Sequence, residues 1–166
     1  MTLSIRRLGP GDQAILALLA EDEPDFDLEG RAGPLAPLDA AVALSYLENP
    51  AVLHWVADED GEVVAHLLCH VLPLRSGEGR ELLLYEIGVR SSHRRLGIGR
   101  ALLDGMVTWM ETNGVGLVWV VADNQAAAEF YQACGFAASE PGAVYMQRSP
   151  DASTPECEGS SASGHP

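Results

Sequence analysis

A chain of 166 residues, 47% of them hydrophobic, suits one globular domain with a sizeable core and is too short for two. Its formal net charge of -14 at pH 7, with no lysine, opposes binding to nucleic acid or anionic membrane and attracts cations. No run approaches the roughly 20 apolar residues of a membrane span. The charged start also lacks the apolar run of a signal peptide, so we expect a cytoplasmic protein.

The first third of the chain predicts one strand and two helices. Residues 3–8 alternate apolar and polar, and glycine and proline end this strand before a helix that begins near Asp12. A second helix is predicted in "LDAAVALSYLENP", stopped before Pro50. Between the two helices lies "EDEPDFDLEG", whose carboxylates are Glu21, Asp22, Glu23, Asp25, Asp27 and Glu29. By itself, such a run is typical of a solvated surface.

The middle of the chain predicts three sequential antiparallel strands. The runs "AVLHWVAD" and "EVVAHLLCHVLPL" are joined by Asp60 and Gly61, a pair that favours a tight hairpin. "RELLLYEIGV" follows as the third strand.

The last part predicts a helix in "GIGRALLDGMVTWMETNG", a buried strand in "VGLVWVVA" and a helix in "NQAAAEFYQACG" capped by Gly135. Because a helix connects two strands here, those strands should be parallel. "AVYMQR" predicts a final strand. The expected fold class is therefore α/β (α+β), with a mixed sheet flanked by helices, in one domain over residues 1–148. Residues 149–166 are small and polar and predict a disordered tail.

The positive charge gathers in "SSHRRLGIGRAL", which holds Arg94, Arg95 and Arg100. A glycine loop before a helix offers free backbone N–H groups and the positive end of the helix dipole to an anion. Gly97 and Gly99 also lack a Cβ that would hold a phosphate away. The stretch predicts a diphosphate cradle, with a merely structural loop as the alternative. Since the chain has no lysine, this loop is not the P-loop of nucleoside triphosphatases, which requires one.

Two motifs carry a family resemblance. "RRLGIG", preceded by "YEIGV", resembles the Arg/Gln-x-x-Gly-x-Gly/Ala loop of the GNAT superfamily of acyl-coenzyme-A-dependent N-acetyltransferases. "NQAAAEFYQACGF" is similar to that superfamily's Asn-x-x-Ala-x-x-Phe/Leu-Tyr-x-x-x-Gly-Phe helix. The resemblance covers residues 3–147 and implies the GNAT fold, in which antiparallel N-terminal strands precede a parallel strand pair around the acetyl-CoA site.

Within the superfamily, residues 70–103 are similar to type I aminoglycoside 3-N-acetyltransferases, which carry an aspartate where this chain has Glu86. The resemblance implies that the 87–89 backbone pairs with the pantetheine arm and polarises the thioester carbonyl, while loop amides hold the diphosphate. The residues implied to bind acetyl-CoA are Ile87, Gly88, Val89, Arg94, Arg95, Leu96, Gly97, Ile98, Gly99, Arg100, Asn124 and Tyr131.

Two residues are the predicted catalytic groups. Glu86 lies among apolar neighbours, where its pKa should rise, and it could accept the proton of a substrate ammonium. A structural acid paired with an arginine is the alternative. Tyr131 could reprotonate the coenzyme A thiolate, although an aromatic residue on a helix is more often part of a core. Asn124 could also cap this helix.

The acidic stretch acquires a role if the substrate is polycationic. Glu23, Asp25, Asp27 and Glu86 are the predicted substrate-binding residues. No metal site is predicted, because the histidines lack ligand spacing. Cys69 and Cys134 are expected to be core thiols, so the acyl group should pass by direct attack in a ternary complex.

The predicted function is therefore acetyl-CoA-dependent N-acetylation of an aminoglycoside, giving antibiotic resistance. The alternatives are a GNAT enzyme acting on a polyamine or a protein N-terminus, and a non-catalytic acyl-CoA-binding module. The expected partner is a cationic small-molecule amine, with no nucleic acid and no membrane. Resemblance to the type I enzymes also implies a homodimer.

Overall fold

A five-stranded mixed sheet organises the chain in a computed structural model that describes residues 2–27, 30, 32–75, 77 and 79–138. The strand order is β1-β2-β3-β4-β5. The first four strands pair antiparallel, and β4 pairs with β5 in parallel. The predicted mixed sheet, with its parallel pair at the end, is confirmed.

The strands are β1 Leu3–Arg7, β2 Val52–Glu59, β3 Glu62–Pro73, β4 Arg80–Val89 and β5 Val118–Val120. The β2–β3 hairpin turns at Asp60 and Gly61, which have φ values of 53° and 93°. Paired positive φ angles match the right-handed strand twist, as the Asp-Gly sequence predicts. β5 is shorter than its apolar run suggests.

The helices are α1 Gln13–Glu21, α2 Glu23–Phe26, α3 Ala40–Glu48, α4 Ile98–Asn113 and α5 Gln125–Ala133. Local chemistry sets their ends. Asp39 accepts hydrogen bonds from the amides of Ala41 and Val42 to start α3, and Gly114 ends α4 in the left-handed conformation. The short α2 lies in the acidic stretch, where the charge pattern gave no sign of a helix.

The sheet carries a different core on each face. The larger core packs α4 against inward residues of β2, β3 and β4, including Leu67, Leu82 and Met106. The smaller core joins the α1 to α3 side to the other face through Leu19, Phe26 and other buried side chains. Consecutive strand residues point to opposite faces, so in β2 Trp55 and Ala57 belong to the larger core and Val56 between them belongs to the smaller one.

An irregularity in β4 changes which residues face which side. Leu68 lies opposite Glu86, but its neighbour Cys69 lies opposite Leu84, so Tyr85 is an extra residue in β4. Leu84 belongs to the α4-side core, and a regular strand would place Glu86 beside it. The bulge turns Glu86 to the opposite face instead. The sequence analysis did not predict this bulge.

Two predictions fall outside the described residues: the last strand at "AVYMQR" and the polar tail at 149–166. Across the described part of the chain, no helix is long and apolar enough to cross a membrane.

Candidate active site

A cleft opens where β4 and β5 separate. Pairing between them is limited to residues 82–84 and 118–120. Beyond Leu84, the cleft has a volume of about 1330 Å³ and is bounded by β4, the 93–100 loop, the segment after β5, and α5. Among the described residues, no strand pairs with β4 on this side beyond Leu84, so its backbone has an edge beside the cleft where an extended ligand can add hydrogen bonds.

The glycine loop forms one end of this cleft. Gly97 has a φ of 83° and begins the 16-residue helix α4, so the first amides of a long helix face the loop. A Cβ on Gly99 would lie 3.2 Å from Cζ of Phe130, so glycine allows α5 to pack closely here. Among the predicted cofactor residues, only the exposed Leu96 does not line the cleft. The loop therefore fits a diphosphate.

The three loop arginines have different surroundings. Arg94 Nε donates to the Val89 oxygen at 3.0 Å, and its Nη2 donates to the backbone oxygens of Asp25 and Asp27 at 3.1 and 3.0 Å. Arg100 Nη2 donates to the Ala133 oxygen at 2.6 Å. Arg95 is exposed at the cleft with a φ of 67°. Arg94 thus holds α2 to the loop, and Arg95 is the arginine best placed for an anion.

Glu86 lies in the cleft near another carboxylate. Burial, and then the negative charge of Glu23, raise the pKa of Glu86 to about 7 from an ordinary value of 4.5. Burial and Asp27 also raise the pKa of Glu23. At neutral pH, a carboxyl with a pKa near 7 can both accept and release a proton. The rise in pKa expected from the sequence is present, and within the described residues the ion-pair contact of Glu86 is with His66 and not with an arginine.

A chain of polar side chains leads away from Glu86 on the α1 to α3 side. Oε1 of Glu86 lies 3.7 Å from Nε2 of His66. Nδ1 of His66 lies 3.4 Å from Nε2 of His54, whose Nδ1 lies 3.0 Å from Oη of Tyr46. The sequence analysis gave these residues no role because they come from α3, β2 and β3. The alternating positions of His54, His66 and Glu86 on paired strands are the signal that could have suggested it.

Tyr131 lies both in a core and at the cleft, and its catalytic role stays a prediction. Its side chain packs in the α4-side core between Phe130 and Phe136 and also lines the cleft. Burial, followed by the charge of Asp123, raises its pKa to about 12. The hydroxyl therefore keeps its proton at neutral pH and can donate it. Asn124 accepts a hydrogen bond from the Ala127 amide and caps α5.

The acidic stretch is divided by the structure. Glu23 and Asp27 line the cleft, whereas Asp25 is not among its lining residues. Asp25 binds Arg90 at 3.1 Å and accepts hydrogen bonds from the backbone and hydroxyl of Ser91. Asp25 thus anchors α2, and its predicted role in substrate binding stays a prediction. Asp27 has a partner as well, the Ala32 amide at 2.6 Å.

One side-chain polar atom each of Glu23, His66 and Glu86 lies within 4.8 Å of the other two, and the two carboxylates attract a positively charged group to this end of the cleft. The expectation that the protein holds no metal stays a prediction. Cys69 is a core thiol, as expected, with its Sγ 3.5 Å from Met106 Sδ. Burial raises its pKa to about 12, which keeps it from acting as a thiolate.

Comparison with known proteins places this geometry in context. The sequence profile described as "Acetyltransferase (GNAT) family" matches residues 13–136. A rat protein named N-acetyltransferase family 8 member 3 is 32% identical over 101 residues, which are 58% of this chain and 43% of that protein. The [ribosomal protein bS18]-alanine N-acetyltransferase of Escherichia coli K12 is 40% identical over 58 residues, which are 34% of this chain and 39% of that enzyme. The chain spans about two fifths of the length of these curated relatives.

Among solved structures, an aminoglycoside acetyltransferase from an uncultured soil metagenomic sample, crystallised with sisomicin, has a TM-score of 0.75. The match is 21% identical and covers 88% of this chain and 95% of that one. This likeness concerns the fold alone.

Proposed function

Since this chain belongs to the GNAT acetyltransferase family, we propose that it acetylates an amine of an aminoglycoside, taking the acetyl group from acetyl-CoA by direct attack in a ternary complex. One observation carries the proposal. The cleft that bears the glycine loop at one end brings Glu86, with a raised pKa, beside Glu23 and Asp27 at the other. Several carboxylates around a proton acceptor suit a substrate with several ammonium groups.

The chain's own residues would hold the cofactor at three places. Amides of the 95–100 loop and the start of α4 would bind the diphosphate, with Arg95 at its side. The open edge of β4 at 87–89 would pair with the pantetheine arm, and one of its N–H groups would polarise the thioester carbonyl. Bound acetyl-CoA supplies the acyl group and a thiolate leaving group.

The two candidate catalytic groups divide the proton transfers. Glu86 takes a proton from the substrate ammonium, which gives the neutral amine that can attack. This requires ionised Glu86, so activity should fall as the pH drops below about 7. Tyr131 holds a proton at neutral pH and is the donor available to the thiolate.

The resemblance of residues 70–103 supports the 3-amino group as the acceptor and antibiotic resistance as the consequence. The similarity to the alanine N-acetyltransferase of E. coli favours a protein N-terminus as the second candidate substrate. A homodimer and a cytoplasmic location stay predictions.

The deciding experiment is a thiol-release assay with acetyl-CoA and four amines: gentamicin, kanamycin, spermine and a peptide with an N-terminal alanine. We expect turnover on the aminoglycosides, with mass and NMR spectra of the product placing the acetyl group on the 3-amino nitrogen. Turnover on the peptide alone would replace the aminoglycoside with the second candidate.

A Glu86→Gln variant separates an enzyme from a binding module. We expect it to bind coenzyme A in calorimetry like the unaltered protein and to lose at least about a hundredfold in kcat, as general-base removal does. Unchanged turnover would remove Glu86 from the mechanism.

A further inference from the structure

Tyr46, His54, His66 and Glu86 form a row of polar side chains that crosses four elements, α3, β2, β3 and β4, and we name it the Tyr46–Glu86 row. The Tyr46–His54 contact is 3.0 Å, His54–His66 is 3.4 Å and His66–Glu86 is 3.7 Å. His54 and His66 are buried at 8% and 3% exposure. Within the described part of the chain, His66 Nε2 is a buried side-chain atom that lacks a hydrogen-bond partner, and it faces Glu86.

The row has one proton arrangement that suits an ionised Glu86. Burial lowers the pKa of His54 to about 3 and that of His66 to about 4, so both rings are neutral and each carries one N–H. If the Tyr46 hydroxyl donates to His54 Nδ1, then His54 Nε2–H donates to His66 Nδ1. The remaining proton of His66 must then be on Nε2, directed at the Glu86 carboxylate.

A glycine keeps this approach open. Gly88 lies opposite His66 in the β3–β4 register. A Cβ at Gly88 would come within 2.7 Å of His66 Nε2 and within 2.9 Å of Phe26 Cβ. The Phe26 ring also packs edge-on against the imidazole, with the ring centroids 5.1 Å apart. The absence of a Cβ at Gly88 thus leaves room for both rings.

We propose that His66 is a positioning residue for Glu86, directing its Nε2–H at the carboxylate oxygen 3.7 Å away, and that His54 and Tyr46 fix the tautomer that makes this possible. The inference rests on the proposed role of Glu86 as the base. It assigns function to three residues outside the cofactor and substrate motifs.

Another carboxylate and a buried phenol lie around Glu86. Glu23 on α2 opposes the negative charge of Glu86, and Asp27 in turn raises the pKa of Glu23. Tyr46 on α3 has its own pKa raised to about 12 by burial and by the charge of Glu86. Nε2 of His66 faces the carboxylate at 3.7 Å, so the loss of its proton should make Glu86 harder to ionise.

The test is the pH profile of kcat/KM for two variants at one position. His66→Leu removes the donor and should move the acidic limb to higher pH by about one unit, the shift expected for one lost hydrogen bond to a charge. His66→Gln keeps an N–H donor and should move it less. Tyr46→Phe should move it in the same direction, because His54 no longer has a fixed tautomer. His70→Gln, four residues along the same strand, is the matched control and should leave the limb unchanged.

The proposal would be overturned if the acidic limb of kcat/KM fell at the same pH in the unaltered protein and in His66→Leu. It would also be overturned if His66→Leu and His66→Gln shifted that limb equally. A direct readout needs no turnover: the ¹³C signal of the Glu86 carboxyl should titrate at higher pH in His66→Leu. An inactive unaltered protein would defeat the proposed function, while this NMR titration would still decide the role of His66. If His66→Leu does not fold, Tyr46→Phe can be tested instead by the pH profile or by the ¹³C titration. An unchanged Glu86 titration in Tyr46→Phe would refute the proposal.

Discussion

Glu86 shows a conflict between chemistry and stability at the level of one residue. Folding raises its pKa from 4.5 to about 7, so between these pH values the folded chain holds a proton that the unfolded chain releases. Stability from this group therefore falls as the pH rises through that window. The carboxylate that the proposed reaction requires is the form that folding disfavours.

Glu86→Gln should consequently raise the melting temperature by a few degrees at pH 8, because glutamine has no charge to desolvate. At pH 4.5 the unaltered protein and the variant should melt together, since folded Glu86 is then protonated. Scanning calorimetry at the two pH values measures this. Glu81→Gln removes a charge from the same strand and controls for net charge, and a lower melting temperature for Glu86→Gln at pH 8 would contradict the argument.

Gly88 is the residue that leaves least room for change. Gly88→Ala would push a methyl group against His66 and Phe26. We expect a destabilisation of about 1–3 kcal/mol, the usual cost of overpacking, together with a loss of turnover. Urea unfolding measures the first and thiol release the second. Gly116→Ala, where a Cβ meets nothing within 4 Å, is the control, and equal behaviour of the two variants would show that the contact at Gly88 relaxes freely.

The sequence identified single residues where a local motif contains them. Glu86 and Tyr131 each lie within or beside a recognisable pattern, and both line the cleft. His66 and His54 were passed over because their meaning depends on strand pairing, which brings Nε2 of His54 within 3.4 Å of Nδ1 of His66 across 12 residues of sequence. Contacts between paired strands follow no fixed spacing along the sequence, so no local motif reveals them.

At the level of elements, α2 depends on a pair of arginines. Arg90 binds Asp22 and Asp25 at 2.6 and 3.1 Å, and its guanidinium carbon lies 4.9 Å from the centroid of the Phe26 ring. Arg94 donates to the carbonyl oxygens at the end of α2. A four-residue helix has too few internal hydrogen bonds to be stable alone, so these contacts decide where Glu23 and Asp27 lie.

Arg94→Ala and Arg95→Ala should therefore affect different substrates. Loosening α2 should raise KM for the amine about tenfold, the effect of losing one hydrogen bond to a charged group, with little change in KM for acetyl-CoA. Arg95→Ala should raise KM for acetyl-CoA instead. Steady-state kinetics with each substrate varied in turn will measure both. If both variants raise the KM for acetyl-CoA equally, Arg94 contacts the diphosphate, as the sequence analysis expected.

Elements with a strong local signal were predicted well. The Asp60–Gly61 turn and the long amphipathic α4 are where their patterns placed them. The sequence could not reveal the bulge at Tyr85, because an extra residue is defined only by its partner strand. It also missed α2, whose residues are held by side chains far along the chain.

For the whole molecule, the two buried histidines predict acid sensitivity. Burial lowers their pKa values from 6.5 to about 3 and 4. Below pH 6.5 these two histidines are protonated in the unfolded chain but stay neutral in the folded one, so stability falls as the pH drops toward 4. Each histidine contributes a slope of up to about 1.4 kcal/mol per pH unit. Glu86 acts in the opposite sense between 4.5 and about 7 and offsets part of this.

Urea titrations between pH 7 and 4.5 should show the free energy of unfolding decreasing with acid, and His66→Gln should reduce that slope. His70→Gln retains both buried imidazoles and should keep the slope of the unaltered protein. A His66→Gln slope equal to that of the unaltered protein would mean that His66 is protonated in the folded state.

The separate cores on the two faces of the sheet bear on how such a protein diversifies. The α4 face carries the larger core and the glycine loop, while α1 to α3 rest on the smaller one beside the acidic end of the cleft. Substitutions in residues 13–48 should therefore change which amine the proposed enzyme accepts, while the half proposed to bind acetyl-CoA stays unchanged. A selection library confined to that segment should yield new amine specificities from a scaffold that stays folded.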